Sequence, residues 1–409
     1  MITVLRDARI FDGVAAEPAD GATVVVEGDR IREITTTRHS FTDARVIDCR
    51  GHFLMPGLID AHFHAYTPTF DITKIDRMPP ALLVSHARVI LEGALQRGFT
   101  TVRDAAGGDV GLWMAIEEGW IQGPRFFFSG KAISQTGGHG DARPGTQVEP
   151  CGCSGYTGTL SLVADGVDEV RRAVREELRK GARQIKLFVS GGVVSPTDPL
   201  WMPQFTDEEI RAAVHEASTR RTYVMAHCLT DDGARRCVES GVRSIEHGTQ
   251  ISEDTARLIA AKKAFVVPTL SVVDVLRKHA ADLGLPPMSL QKIAGVYENY
   301  AKSIEVCTRA GVKLGLGSDL LGQEFHCLQG GELALRAEFS RPIDVLRSAT
   351  SVNAELLQMS GQLGSIQPDA YADLLVIKGD PLKDPGLFRE PLANLLLIMK
   401  GGVCIRSAL

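Results

Sequence analysis

The chain has 409 residues, with 45 basic and 50 acidic side chains, a net charge of −5 and 44% hydrophobic residues. This is the composition of a soluble globular protein, and it offers no basic excess for a polyanion, so nucleic acid is not expected as a partner. No run of about 18 uncharged apolar residues is present, and the opening MITVLRDARIFDG has no apolar stretch of the secretory kind, so neither a membrane span nor a signal peptide is expected.

In chain order, the first segments read as short strands. Residues 2–5, 22–27 and 31–34 are β-branched runs broken by turn signals such as Gly28-Asp29. The middle behaves differently. Apolar strand patterns at 57–62, 100–104, 125–129, 184–189, 223–227, 244–247, 264–268 and 313–318 recur, most of them followed by a helical pattern. The clearest helical patterns are 167–180, 207–220, 231–240 and 252–262, and Thr206 with Glu209 three positions on has the spacing of a capping box. Eight strands alternating with helices predict an α/β fold, a parallel (β/α)8 barrel. A doubly wound sheet is disfavoured because no GxGxxG follows a first strand. Residues 132–166, rich in Gly and Pro, read as a long irregular loop over the expected active-site face. Strand patterns return at 372–377 and 395–399, so both chain ends look like parts of one small antiparallel sheet. The eight cysteines are scattered and read as reduced thiols of a cytoplasmic protein, with Cys151 and Cys153 as the one close pair.

Chemistry concentrates at the carboxyl ends of the predicted strands. His62 and His64 are two apart at the end of the first, so both can face one point. Lys186 lies in the otherwise apolar fourth, where a lysine must be paired or chemically altered to avoid a large burial cost. His227 ends the fifth and His247 the sixth, and Asp319 follows the eighth. Any one of these is more often structural than functional. Their coincidence on five strand ends predicts a divalent-metal site.

The ordered set His62-x-His64, Lys186, His227, His247 and Asp319 resembles the amidohydrolase superfamily, as do Phe53 to Asp60 before the first histidines and Tyr371 to Leu382 near the other end. Where such relatives carry a Pro-Gly-Lys turn, this chain has Pro368-Asp369-Ala370. The resemblance implies a (β/α)8 barrel over residues 57–363 and a small β-sandwich built from residues 1–56 and 364–409. It implies two zinc ions as cofactors: His62, His64 and Asp319 on one, His227 and His247 on the other, and carboxylated Lys186 bridging them. Hydroxide formed at the metals would attack an amide carbonyl, with Asp319 as general base and then acid.

Within the superfamily the chain is most similar to the prolidase and imidazolonepropionase-related branch. The similarity is carried by Thr136 to Asp141, Ser190 to Pro196, Glu246 to Thr249 and Pro268 to Leu270. His139 is then a candidate to polarise the scissile carbonyl or hold a substrate carboxylate. Gly191, Gly192 and Val193 are a candidate substrate wall whose glycines admit close backbone approach. Leu229 stands where relatives acting on basic C-terminal residues tend to carry Tyr, which suits an apolar leaving group such as proline. His326 is a further pocket candidate. The expected function is hydrolysis of dipeptides or N-acyl amino acids with C-terminal proline favoured, by a homo-oligomer acting on a small molecule. Opening of a cyclic amide or imidazolone ring is the alternative, and a non-catalytic scaffold a distant third.

Overall fold

The computed structural model describes residues 2–36, 43–147, 157–195, 198–280, 282–283 and 287–409. Cys151 and Cys153 lie outside them. Strands Ile2–Ile10, Ala19–Glu27, Arg30–Thr35, Arg45–Asp48 and Phe53–Pro56 join Leu374–Ile377, Leu395–Lys400 and Val403–Ser407 in one eight-stranded sheet. The seam between the two ends is the antiparallel pairing of Phe53–Pro56 with Leu374–Ile377, in which Met55 faces Leu375. Alternate residues of this seam point to opposite faces. Leu54, Leu374 and Val376 enter a cluster with Leu5, Val24 and Ile31, whereas Phe53, Met55, Leu375 and Ile377 enter the main core. The seam is thus buried on both sides. It ties the two chain ends to each other and to the middle of the chain.

The middle is α/β. Leu58–Phe63, Phe99–Asp104 and Arg125–Phe127 pair in parallel, and so do Ile185–Phe188, Val224–Cys228, Ser244–His247, Phe265–Val267 and Lys313–Leu314. Near-continuous apolar strands such as Val224–Cys228, all five residues buried, are what a parallel sheet covered by helices requires. Arg183 N donates to Phe128 O (2.9 Å), linking the third of these strands to the fourth. Ala61 N donates to Leu316 O (2.9 Å) and Asp319 N to His62 O (2.8 Å), linking the first to the last. These bonds join the two groups of parallel strands at both edges.

The helices lie where their patterns place them: Val167–Arg179, Asp207–Thr219, Asp231–Glu239 and Glu253–Ala261. The capping box at Thr206 and Glu209 is formed in both directions. One expectation changes. The stretch after the third strand is not wholly irregular, because Ala132–Ser134 pairs in parallel with Ser161–Val163 and touches Ile185–Phe188 through Ile133 and Leu187. Strands of three residues are too short to show a period in sequence.

Candidate metal centre and pocket

The carboxyl ends of the parallel strands converge on one cavity of about 580 Å³. His62, His64, Lys186, His227, His247 and Asp319 all line it. The His64 Nε2 to Asp319 Oδ1 distance is 2.9 Å and His62 Nε2 lies 3.4 Å from the same oxygen. Ligand atoms of these three residues all fall within 4.8 Å of one another, a group able to hold a metal ion. Lys186 Nζ is 3.4 Å from His62 Nε2, and His227 Nδ1 is 2.9 Å from His247 Nε2. Two imidazole nitrogens bound to one tetrahedral cation stand about 3.3 Å apart, so this pair already has nearly that spacing.

Two of these residues sit on unusual backbone. His247 has φ 70° and Asp319 φ 53°, the left-handed region that non-glycine residues rarely occupy. Each turn swings a side chain from the end of its strand into the cavity, and such outliers cluster at functional sites.

The electrostatics suit a cation. Burial, reinforced by the charge of Lys186, holds His62 well below the usual imidazole range. Burial likewise depresses His227, and brings His247 down to about 3. These rings are therefore neutral and keep lone pairs for a metal. Burial pulls the Lys186 ammonium down to about 8, with Glu246 and Asp319 pulling the other way. At Asp319 burial opposes ionisation, but the His64 hydrogen bond, helped by the nearby Lys186 ammonium, holds the carboxyl below its ordinary value.

Around the cluster lie supports that sequence reasoning passed over. Glu246 Oε2 is 2.7 Å from His62 Nδ1, which directs the other ring nitrogen into the cavity. Arg103 Nη2 donates to both Glu246 oxygens (2.8 and 3.0 Å), and all three side chains are buried. Asp60, fully buried, accepts from His62 N (3.0 Å), Ser318 N (3.1 Å), Ser318 Oγ and Gln329 Nε2 (2.8 Å). It thereby joins the strand carrying His62 to the turn carrying Asp319. Thr269 Oγ1 holds His247 Nδ1 at 2.8 Å and is itself 3.2 Å from Tyr300 Oη, on the helix Pro287–Arg309. A charged residue inside a strand pattern, as Glu246 and Arg103 are, is the sequence signal that marks such supports. Glu246→Ala is expected to lower stability by about 3–5 kcal/mol, the usual cost of leaving a buried charge unpaired. Chemical denaturation of the purified variant measures it.

The remaining candidates divide. His139, Val193 and Leu229 line the cavity. Gly191 and Gly192 do not, and they are required for a different reason from close approach to a ligand. A Cβ on Gly192 would lie 2.0 Å from His139 Cε1, and one on Gly191 would lie 1.9 Å from Pro199 O. His326 is also outside the lining. Its ring packs on Phe63 (centroids 5.4 Å apart), both its nitrogens lack a hydrogen-bond partner among the described residues, and burial holds it well below the imidazole range. The turn His326–Leu328 carries it behind the cavity wall, into the packing around the first strand.

A cavity in an α/β fold, walled by neutral imidazoles, a buried lysine and an ionised carboxylate at strand ends, defines a hydrolytic centre of the metal-assisted class. The chain belongs to the amidohydrolase family, whose model matches residues 53–404. An ochratoxinase of Aspergillus niger is 33% identical over 370 residues, covering 85% of this chain and 75% of the relative. A crystal structure of a prolidase complexed with N-methylphosphonate-L-proline superposes with a TM-score of 0.95 at 46% identity, covering 100% of both chains. A Xaa-Pro dipeptidase with bound methionine in its active site superposes at 0.90 and 29% identity, again covering 100% of both. The protein is a hydrolase acting on carbon–nitrogen bonds, and its substrate is a small molecule. Among the described residues no helix is long and apolar enough to cross a membrane.

Proposed function

We propose that the protein hydrolyses the amide bond of dipeptides or N-acyl amino acids, with C-terminal proline favoured. One observation carries this reading. The six strand-end residues occupy one wall of a cavity whose other walls are largely apolar, including Leu229, Val193, Val272, Val273, Leu276 and Val296. A volume of about 580 Å³ lies within the range of small-molecule sites and accommodates a dipeptide. Leu229 is buried and its N–H is spent on Ser190 Oγ (2.9 Å), so it offers the leaving group only an apolar surface. The similarity to a prolidase that holds a proline phosphonate supports the same choice.

His62, His64 and Asp319 would hold one divalent ion, zinc by preference. His227 and His247 would hold a second, with Lys186 as a carbamate between them. Bound there, the ions would acidify a water and polarise the amide carbonyl. The chain supplies the rest. Asp319 accepts the proton released on attack and returns it to the departing nitrogen. His139 and the apolar walls hold the substrate and exclude water. In this reading the strand ring over 57–363 closes as a (β/α)8 barrel. Residues 1–56 and 364–409 form a sandwich, since their sheet encloses Leu5, Val24, Ile31, Leu54, Val376 and Leu397 in a core of its own.

The test is a library of Xaa-Pro dipeptides and N-acyl amino acids, with ochratoxin included because the A. niger ochratoxinase leaves open a leaving group other than proline. Metal is measured in the same preparation. Turnover of proline substrates is expected, lost on chelation and restored by zinc. Metal-loaded protein inactive across the proline members sinks the reading.

A further inference from the structure

His139 does not stand alone. Its ring lies on that of His227, centroids 4.3 Å apart with planes inclined by 27°. Its Nδ1 is 2.7 Å from Ser195 Oγ and 3.5 Å from Asp198 Oδ2. Asp198 is completely buried. Its Oδ2 also accepts from Gly192 N (3.0 Å) and Gln204 Nε2 (3.2 Å), and Oδ1 has no hydrogen-bond partner among the described residues. A buried carboxylate so placed depends on the hydrogen-bonding groups around it. The nearby Lys292 ammonium is committed elsewhere. Its Nζ donates to the carbonyls of Gly192 (2.8 Å), Ser195 (3.3 Å) and Asp198 (2.8 Å), so it holds the backbone that carries the carboxylate. Gln204 reaches the same histidine from another side, accepting from His139 N through Oε1 at 2.9 Å. Outside the strand-end cluster, His139 is the one imidazole lining the cavity among the described residues.

We propose that Asp198 is a positioning residue for His139. With Ser195 it engages Nδ1, fixes the ring against His227 and so presents Nε2 to the substrate in the cavity, while Gly192 leaves the space the ring occupies. The ring cannot slide toward the 191–192 backbone, where even one methyl group would overlap it. It cannot rotate without withdrawing Nδ1 from Ser195 and from the buried carboxylate beside it. Lys292, from the helix Pro287–Arg309, keeps that carboxylate in register. The activity arm of this proposal rests on the hydrolase reading above, whereas the position of the ring does not.

A double-mutant cycle with a crystal structure tests it. Metal-loaded wild type, Asp198→Ala, His139→Ala and the double variant are compared on an Xaa-Pro dipeptide. Asp198→Ala is expected to lower kcat/KM by about 10–100-fold, as removal of an orienting partner typically does, with metal content unchanged. His139→Ala should cost at least as much, and the double variant no more than His139→Ala alone. Losses that multiply, or an Asp198→Ala enzyme within about twofold of wild type, overturn the proposal. Gly192→Ala, alone and with His139→Ala, gives the same cycle should Asp198→Ala fold poorly. The crystal structure of the Asp198→Ala or Gly192→Ala protein should show the His139 ring moved off His227. A ring still stacked there overturns the proposal even if the protein proves inactive on every proline substrate, a result that counts against the hydrolase reading instead.

Discussion

Asp319→Asn is expected to lower kcat by about 10²–10⁴-fold, the range that a lost general acid–base contributes, while leaving the fold intact. The substitution keeps size and an acceptor oxygen, so the 2.9 Å contact to His64 can persist. Asp319 N still donates to His62 O, which keeps the positive-φ turn in place. What disappears is the negative charge and the ability to take a proton. The carboxyl is already held below its ordinary value, chiefly by the His64 hydrogen bond, and is therefore ionised at neutral pH and ready to accept. Steady-state kinetics beside a thermal melt separate the two properties. A variant within tenfold of wild type in kcat would show that the proton goes elsewhere.

Lys186→Ala is expected to lose bound metal and activity together, and to regain part of both when a short carboxylic acid such as propionate is supplied. Lys186 is 1% exposed and its amine lies 3.4 Å from His62 Nε2, so as an unmodified cation it would repel a metal beside it. In the proposed reading, the amine, once deprotonated, would react with carbon dioxide to give a carbamate and a proton. The buried ammonium would thereby be replaced by an anionic oxygen ligand of the kind divalent ions prefer. Truncation to Ala leaves a slot the length of the lysine stem, open to the cavity, that a small carboxylate can enter. Elemental analysis and kinetics with and without propionate read the result. Full metal occupancy and full activity in Lys186→Ala would remove the lysine from the site.

Both variants probe residues that were legible as a pattern of strand ends. His62 and His64 at a spacing of two, and Lys186, His227 and His247 in or at the end of apolar strands, need only the period of a β-strand to point one way. The helices were legible for the same reason, and the Thr206 capping box carried its own chemistry in four residues. Short strands such as Ala132–Ser134 left no period to read. His326 looked like a pocket residue because it follows Asp319 by only seven positions, yet its turn carries the ring behind the wall, onto Phe63. Gly191 and Gly192 read in sequence as a substrate wall, whereas in the fold the space a side chain there would take belongs to Pro199 and His139.

By itself, then, the sequence determined the class of architecture, the family resemblance and the set of strand-end residues, because local periodicity and residue chemistry survive in one dimension. Only the tertiary structure decided which groups meet across large separations. Glu246 reaches His62 from 184 positions away, Asp60 reaches Ser318 across 258, and Lys292 grips Gly192 across 100. Such contacts follow from strand register and helix packing, summed over the whole core, and no local segment contains them. For the same reason the side chains expected to do the chemistry could be read from the sequence, whereas those that aim them could not.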